Sequence, residues 1–208
     1  CLRAEFIPLF LNMKTLQELK DLCLKANFPI MADESLDFIL THIAEGSSLL
    51  ELGSCAGYSS IYLAKHQTLE ITSIERDFER HLLAKQHVQD FGLETSIHMI
   101  YDDALVFEPK NIYDIIVFDA AKAQNHVFFQ RYFPYLKESG ILFIDNMDFH
   151  GYVSEQGSIK SRNLRKMVRA ISDFEKEIAQ RGDLESTHLP LGDGLLMIKK
   201  VKTESYLC

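Results

Sequence analysis

The sequence predicts an α/β protein with a mostly parallel, seven-stranded sheet, helices on both faces and an antiparallel hairpin at the C-terminal end. After residue 45, short β-branched and aromatic runs alternate with segments of helical periodicity, which is typical of parallel sheets. The length of 208 residues and the hydrophobic share of 47% suit one ordinary domain. No repeat or low-complexity linker divides the chain. We therefore expect a single domain over 1–208, with helices in 1–45 and the sheet core in 46–208.

Two amphipathic helices are expected before the sheet. The leucines between Leu16 and Leu24 predict one helix, and the apolar residues between Leu36 and Ile43 predict another, because both sets recur at helical spacing. The segment 27–29, Asn-Phe-Pro, separates them, since proline does not continue a helix.

The remaining elements follow in strand–helix order. Apolar runs predict five strands, over 48–52, 69–74, 97–100, 113–118 and 140–144. Helical periodicity predicts the helices that connect and follow them, over 59–66, 78–91, 126–136 and 162–181. The tail predicts a closing hairpin, 185–189 and 195–201, around the Gly-Asp-Gly turn 192–194.

Composition excludes several classes of protein. The formal net charge of −8 disfavours a generic DNA-coating protein, because an acidic surface repels phosphates. No apolar run reaches the roughly 18 residues of a membrane span, and the first residues do not predict a signal peptide. The cysteines form no C-x-x-C pair, so we expect free thiols in a reducing cytoplasm. The four cysteines are Cys1, Cys23, Cys55 and Cys208.

A glycine-containing turn follows the first predicted strand. Residues 51–59 read ELGSCAGYS, which makes Gly53 a candidate cofactor-binding residue, because glycine lets a ligand approach the backbone closely. Doubly wound sheets bind nucleotide cofactors in the crevice at this end of their strands. The spacing Gly-x-x-x-Gly differs from the Gly-x-Gly-x-x-Gly of dinucleotide-binding proteins. A tight turn without a ligand is the competing interpretation.

Acidic side chains follow the second and third predicted strands. Glu75 ends the second strand, where a carboxylate can accept hydrogen bonds from both ribose hydroxyls of a nucleotide. The alternative role, an acid that favours the N-terminus of the next helix, is filled as well by Asp77. Asp102 and Asp103 follow the third strand and would flank an adenine ring, and a solvated turn is the competing interpretation.

Three oxygen-bearing side chains end the fourth and fifth predicted strands. Asp119 follows one strand, and Asp145 and Asn146 follow the other, at the ligand-binding edge of a parallel sheet. Oxygen ligands without histidine or cysteine suit a hard divalent cation such as Mg²⁺, which would keep about three positions for substrate and water. The competing interpretation is that these residues cap the helices that follow.

Lys122 lies three residues after Asp119. A lysine near a cation and a sulfonium would have a lowered pKa, which suits a general base. A surface lysine without a catalytic role is the competing interpretation.

In this order the motifs resemble the cation-dependent class I O-methyltransferases, a family that uses S-adenosylmethionine and includes the caffeoyl-CoA and catechol enzymes. The motifs are the segments 51–59, 74–76 (IER), 118–122 (FDAAK) and 145–146 (DN), and the likeness covers roughly residues 28–200. It implies a Rossmann-like class I methyltransferase fold, a homodimer and the metal ligands named above. By this resemblance, S-adenosylmethionine would contact Met31, Ser59, Glu75, Asp102, Asp103 and Asp119.

Within that family the chain is most similar to the bacterial tRNA 5-hydroxyuridine methyltransferases. The segments 28–31 (FPIM), 149–151 (FHG) and 189–195 (LPLGDGL) carry this likeness. It implies tRNA as substrate and 5-methoxyuridine at the wobble position as product. A catechol or an acyl-CoA substrate stays open, because metal chelation requires only two neighbouring oxygens. A third alternative, an NAD-dependent enzyme or a non-catalytic nucleotide-binding module, is disfavoured by the glycine spacing and by the acidic constellation.

One basic helix bears on the question of RNA. Arg162, Arg165, Lys166 and Arg169 share one face of the predicted helix 162–181, and apolar residues occupy the other. Such a face could hold RNA phosphates, with Arg162 and Arg165 as substrate contacts. An ordinary solvated face with salt bridges is the competing interpretation.

Overall fold

The computed structural model describes residues 14–153 and 159–201. Outside that description lie Cys208 and residues 1–13, which include Cys1 and the start of the predicted N-terminal helical region. The chain divides into two compact units, the first ending at Glu108 and the second beginning at Pro109. The single domain over 1–208 stays a prediction.

Seven strands and six α-helices make up the described chain. The strands are β1 Ser47–Leu52, β2 Leu69–Glu75, β3 Ile97–Tyr101, β4 Tyr113–Phe118, β5 Leu136–Ile144, β6 Leu184–Leu189 and β7 Leu195–Lys200. The helices are α1 Leu16–Lys25, α2 Asp33–Leu40, α3 Tyr58–His66, α4 Phe78–Asp90, α5 Asn125–Tyr132 and α6 Arg162–Ala179. Short 3₁₀ turns cover Lys122–Gln124 and Phe133–Tyr135.

The strands form one sheet in the order β3-β2-β1-β4-β5-β7-β6. In the first unit β1 pairs with β2, and β2 with β3, in parallel. In the second unit β4 and β5 are parallel, whereas β7 is antiparallel to both β5 and β6. The predicted fold class, a mostly parallel sheet closed by an antiparallel hairpin, is confirmed.

The first unit begins with α1, whose N-terminus carries a complete capping box. The Thr15 hydroxyl accepts from the Glu18 backbone N–H, and the Glu18 carboxylate accepts from the Thr15 N–H, which satisfies two amides that a helix start leaves open. Leu19 and Cys23 are buried on the inner face of this helix. Of the described cysteines, neither Cys23 nor Cys55 forms a disulfide.

The second unit is built around β4 and β5, whose apolar residues are almost entirely buried. Helix α6 turns one apolar face inward, where Val168, Ile171, Phe174 and Ile178 are buried at intervals of three or four residues. The Phe174 ring meets Phe129 of α5 edge to face, with centroids 5.9 Å apart. The predicted apolar face of this helix is therefore confirmed.

One predicted element was wrong at its C-terminal end. A helix over 126–136 was expected, but α5 ends at Tyr132 and a 3₁₀ turn covers Phe133–Tyr135. Strand β5 then starts at Leu136 instead of residue 140. Pro134 is the physical reason, because proline has no backbone N–H to donate and its ring clashes with the preceding helical turn.

Across residues 14–153 and 159–201, no helix is both long and apolar enough to cross a membrane.

Candidate functional site

The turn between β1 and α3 is shaped by three residues with left-handed backbone. Gly53, Cys55 and Gly57 have φ angles of 95°, 48° and 83°. The backbone N–H groups of Gly53 and Ser54 both donate to the Ile74 carbonyl, at 2.9 and 3.1 Å, which fixes the turn to the end of β2. The buried His87 ring holds the other side, since its Nδ1 donates to the Ala56 carbonyl at 2.8 Å. The predicted turn is therefore a rigid, tightly folded one.

Glu75 ends β2 and is bound into this turn. Its Oε2 accepts from the Cys55 backbone N–H at 2.9 Å, and its Oε1 accepts from the Asp77 N–H at 2.8 Å. Each carboxylate oxygen keeps a second lone pair for a ligand hydroxyl. Asp77 is the N-cap of α4 and accepts from the Arg80 N–H at 3.0 Å, so the helix-capping role belongs to Asp77, as predicted.

An open cavity of about 470 Å³ lies beside the end of β2 and β3 in the first unit. It is lined by Arg76, Asp77, Tyr101, Asp102 and Asp103. The two predicted adenine-flanking acids therefore share one cavity wall. Their side chains also shape the local turn, because Asp102 Oδ1 accepts from the Asp103 N–H and Asp103 Oδ1 accepts from the Leu105 N–H, at 2.8 and 2.9 Å.

Sequence reasoning missed the role of Glu51, which is only 1% exposed. Its carboxylate accepts hydrogen bonds from the hydroxyls of Ser59, Ser60 and Ser73. Such bonds compensate a buried carboxylate for lost hydration. The Ser59 hydroxyl, which the family likeness assigns to the cofactor, is thus already engaged inside the first unit. Met31 is likewise buried there. The sequence signal for Glu51 was an acid inside an otherwise apolar strand.

In the second unit, the Asp145 carboxylate is buried and only partly compensated, by the Lys122 charge and by the Asn146 backbone N–H. Asp145 is 1% exposed, and its Oδ1 has no hydrogen-bond partner among the described residues. Burial, reinforced by the charge of Asp119, raises the pKa of Asp145 from 3.8 to about 7. The two predicted strand-end acids are therefore close enough to repel each other.

The capping interpretation of these strand-end residues does not hold. The N-caps of the segments that follow β4 are Ala121 and Gln124, and neither makes a side-chain cap. Helix α6 is capped by Ser161. Asn146 has a left-handed φ of 58°, a conformation that asparagine tolerates better than most residues.

Lys122 contacts one of the predicted metal ligands. Its Nζ donates to Asp119 Oδ1 at 2.8 Å, and both side chains are largely buried. A lysine free on the surface, the competing interpretation, is thus ruled out. The lysine charge also opposes the rise in the pKa of Asp145.

The donor set of Asp119, Asp145 and Asn146 fits a hard divalent cation. A cation would supply the partner that the buried Asp145 Oδ1 lacks and would cancel the repulsion between the two carboxylates. Within the described ranges, no group of three or more His, Cys, Asp and Glu side chains is arranged to hold a metal. The proposed ligand set consists of two carboxylates and one amide oxygen. Substrate and water would therefore have to supply the remaining ligands of the cation.

The basic face of α6 is exposed in the structure. Its members are Arg162, Arg165, Lys166 and Arg169. Arg165 donates to the Ile159 carbonyl at 3.1 Å. No ion pair involves any of the four within residues 14–153 and 159–201, and an ordinary solvated face stays the competing interpretation.

The fold is that of a Rossmann-like methyltransferase. It has the corresponding strand order, the glycine turn after β1 and the acid at the end of β2. Residues 11–201 match the family model described as O-methyltransferase. The chain belongs to the O-methyltransferase family and is an S-adenosylmethionine-dependent O-methyltransferase. The family predicted from the motifs, of the caffeoyl-CoA type, is confirmed, whereas the closer likeness to tRNA enzymes stays a prediction.

Individual relatives support this assignment. A candidate caffeoyl-CoA O-methyltransferase from Staphylococcus aureus has a crystal structure with 31% identity and a TM-score of 0.84, covering 91% of this chain and 93% of that one. The caffeoyl-CoA O-methyltransferase of Populus kitakamiensis is 24% identical over 173 residues, which are 78% of this chain and 74% of the relative. A Bacillus cereus O-methyltransferase in complex with S-adenosylhomocysteine shares the fold, with 22% identity, a TM-score of 0.75 and coverage of 92% and 93%.

Proposed function

We propose that this enzyme methylates one of two neighbouring oxygens on its substrate and uses Mg²⁺, or another hard divalent cation, held by Asp119, Asp145 and Asn146. The observation that carries the proposal is the buried Asp145 Oδ1, which has no partner among the described residues. An isolated buried carboxylate is costly unless a charge compensates it. A chelated substrate would supply the remaining ligands.

For the methyl donor, we propose that the first unit supplies the binding groups. Glu75 accepts hydrogen bonds from the ribose hydroxyls with the lone pairs that the turn leaves open. Asp102 and Asp103 flank the adenine in the cavity that they line. Gly53, Met31 and Ser59 complete the set that the family likeness implies. Because the Ser59 hydroxyl donates to Glu51, its contact with the donor would use the remaining lone pairs of that oxygen.

In the proposed mechanism, Asp119, Asp145 and Asn146 would hold the cation, and a cation bound there would lower the pKa of the substrate hydroxyl that reacts. If Asp119 binds the cation, Lys122 would be released from its ion pair, and its Nζ, after losing a proton to solvent, would accept the proton of the substrate hydroxyl. The substrate oxygen would then form a bond to the methyl carbon of S-adenosylmethionine while the bond from that carbon to sulfur breaks, which leaves S-adenosylhomocysteine. Positioning and electrostatics supply most of the acceleration.

For the substrate, we propose 5-hydroxyuridine at the wobble position of tRNA, whose O4 and 5-hydroxyl are neighbouring oxygens. The exposed basic face of α6 supports this choice, since its four cations have no acidic partner among the described residues. The alternative is a catechol or an acyl-CoA ester, which the caffeoyl-CoA relatives favour. Both substrates fit the same metal site. A homodimer in the cytoplasm completes the proposal.

The test of the metal site is a methyl-transfer assay with labelled S-adenosylmethionine. Asp145→Ala should abolish turnover with Mg²⁺ while S-adenosylhomocysteine affinity, measured by calorimetry, stays within about threefold. Asp183→Ala is the matched control, because Asp183 is exposed and its carboxylate pairs with Arg181. Turnover by Asp145→Ala at the wild-type rate, or full wild-type activity in EDTA, would reject the metal proposal.

The substrate test uses the same assay with undermodified tRNA in one arm and a panel of catechols and hydroxycinnamoyl-CoA esters in the other. Label in tRNA, recovered as 5-methoxyuridine after digestion, supports the RNA proposal. Label in the small molecules and none in tRNA would establish the alternative.

A further inference from the structure

The segment that follows the proposed metal ligands Asp145 and Asn146 has an unusual backbone. Asn146, Phe149, His150 and Gly151 have φ angles of 58°, 46°, 56° and 78°, all left-handed. For residues other than glycine this region costs roughly 1 kcal/mol or more each. Strain of this size persists only where surrounding contacts hold it. We call residues 145–151 the ligand loop.

Three hydrogen bonds hold the ligand loop against the turn between β6 and β7. The Met147 N–H donates to the Gly194 carbonyl at 2.9 Å, and the Asp148 N–H donates to the Asp193 carbonyl at 2.8 Å. The His150 N–H donates to Asp193 Oδ1 at 2.6 Å. Two of the three bonds therefore use Asp193, one through its backbone and one through its side chain.

The turn also approaches the ligand loop too closely for any side chain at Gly194. A Cβ at this position would lie 2.6 Å from the Asp148 nitrogen and 2.7 Å from its Cγ. Glycine is thus required sterically as well as for its φ of 84°. This close approach sets the Asp193 carboxylate directly against the loop backbone.

We infer that Asp193 is a positioning residue for the metal site: its carboxylate holds the left-handed ligand loop in the conformation that presents Asp145 and Asn146 to the cation. The inference rests on the proposed function for the identity of the ligands. The geometry of the loop does not rest on that function, because the hydrogen bond from His150 to Asp193 joins two residues of this chain. The Asp193 Oδ2 lies 3.3 Å from the His150 ring Nδ1 and has no hydrogen-bond partner among the described residues.

Residues that orient metal ligands through hydrogen bonds typically change metal affinity by about 10–100-fold when they are removed. Asp193→Ala deletes the acceptor of the His150 amide and should weaken Mn²⁺ binding, followed by electron paramagnetic resonance, by about tenfold. Asp193→Asn keeps one carbonyl oxygen as acceptor and should retain affinity to within about threefold. Asp183→Ala, an exposed acid at the start of β6, should leave the affinity unchanged.

Hydrogen exchange of the ligand loop, without metal, tests the positioning role separately. Asp193→Ala should speed exchange of the His150 and Asp148 amides at least tenfold and leave the amides of β4 unchanged, whereas Asp193→Asn should resemble the wild type. If wild-type protein binds no Mn²⁺ but the exchange result holds, the proposed metal function fails and the loop-holding role stands. Unchanged exchange in Asp193→Ala, or equal loss of Mn²⁺ affinity in the Asn and Ala variants, would overturn the inference.

Discussion

At the scale of single residues, the site depends on how each carboxylate is compensated. Glu51 is as deeply buried as Asp145, but three serine hydroxyls donate to it. Asp145 has no such set, and its Oδ1 lacks a partner among the described residues. This difference supports the proposal that Asp145 binds a ligand, because a buried charge that is incompletely compensated destabilises a fold.

Asp145 should make the metal-free protein sensitive to pH. Its pKa is raised from 3.8 to about 7 in the folded state, so the folded chain binds more protons than the unfolded chain between these values. The free energy of unfolding should then fall as pH rises from 4 to 7, by on the order of 4 kcal/mol for a shift from 3.8 to about 7. Urea titrations at pH 4.5 and pH 8 in EDTA measure it.

Asp145→Asn is the control for that experiment, because an amide cannot titrate. The variant should lose this component of the pH dependence and be more stable than wild type at pH 8 in EDTA. Mg²⁺ should stabilise wild type at pH 8 and have little effect on the variant. Parallel pH profiles for the two proteins would contradict the assignment.

At the scale of elements, the turn between β1 and α3 is fixed by close packing as well as by glycine conformation. Gly57 starts α3 with a φ of 83°, and a Cβ there would lie 3.3 Å from the Cβ of Ala84 in α4. Gly46 has a similar φ of 77° but nothing within 4 Å. The two glycines thus share a backbone conformation and differ in their surroundings.

Gly57→Ala should therefore cost more stability than Gly46→Ala. We expect about 1 kcal/mol for Gly46→Ala, from the left-handed backbone alone, and about 2 kcal/mol or more for Gly57→Ala. Only Gly57→Ala should also weaken S-adenosylhomocysteine binding, because it displaces the turn. Chemical denaturation and calorimetry on both variants provide the measurement, and equal losses of stability would show that packing against Ala84 is unimportant.

Helix α6 combines a buried apolar face with an exposed basic one. If the basic face holds tRNA phosphates, Arg162→Ala and Arg165→Ala should each reduce the slope of log affinity against log salt by about 1. Lys65→Ala, an exposed lysine on α3, serves as the control and should leave the slope unchanged. Fluorescence anisotropy with labelled tRNA at several salt concentrations gives the slopes. An unchanged slope in both arginine variants would mean that the face is merely solvated.

At the scale of the whole molecule, a net charge of −8 coexists with a local cluster of four cations. Long-range repulsion of RNA is therefore expected, and any binding must come from the local face, so affinity should fall steeply with salt. In the proposed homodimer, the two copies would present two such basic faces to RNA.

Cofactor binding should stabilise the whole chain by mass action. A ligand that binds only the folded state adds about 2.7 kcal/mol at a hundred times its dissociation constant. S-adenosylhomocysteine should raise the midpoint of thermal unfolding in proportion to the logarithm of its concentration, and NAD should not. Differential scanning fluorimetry with both ligands measures this, and stabilisation by NAD alone would argue for a dinucleotide-binding protein.

Much of the fold and part of the site are local properties of the sequence. Strands were predictable because β-branched runs and helical periodicity are visible over a few residues, as for β4, whose predicted and observed limits agree. The strand-end acids Asp119 and Asp145 followed from the rule that parallel strands end at one edge. The end of α5 was not predicted, although Pro134 signalled it.

Only the tertiary structure decided how the polar groups are satisfied. Ser73, whose hydroxyl donates to Glu51, lies 22 residues from it in the sequence. His150, whose amide donates to Asp193, lies 43 residues from it. No local pattern encodes such pairs, because they depend on which chain segments pack together. Sequence alone thus supplied the oxygens of the proposed metal site, whereas folding determined that Asp145 Oδ1 has no partner among the described residues and that the Asp193 carboxylate accepts from the His150 amide.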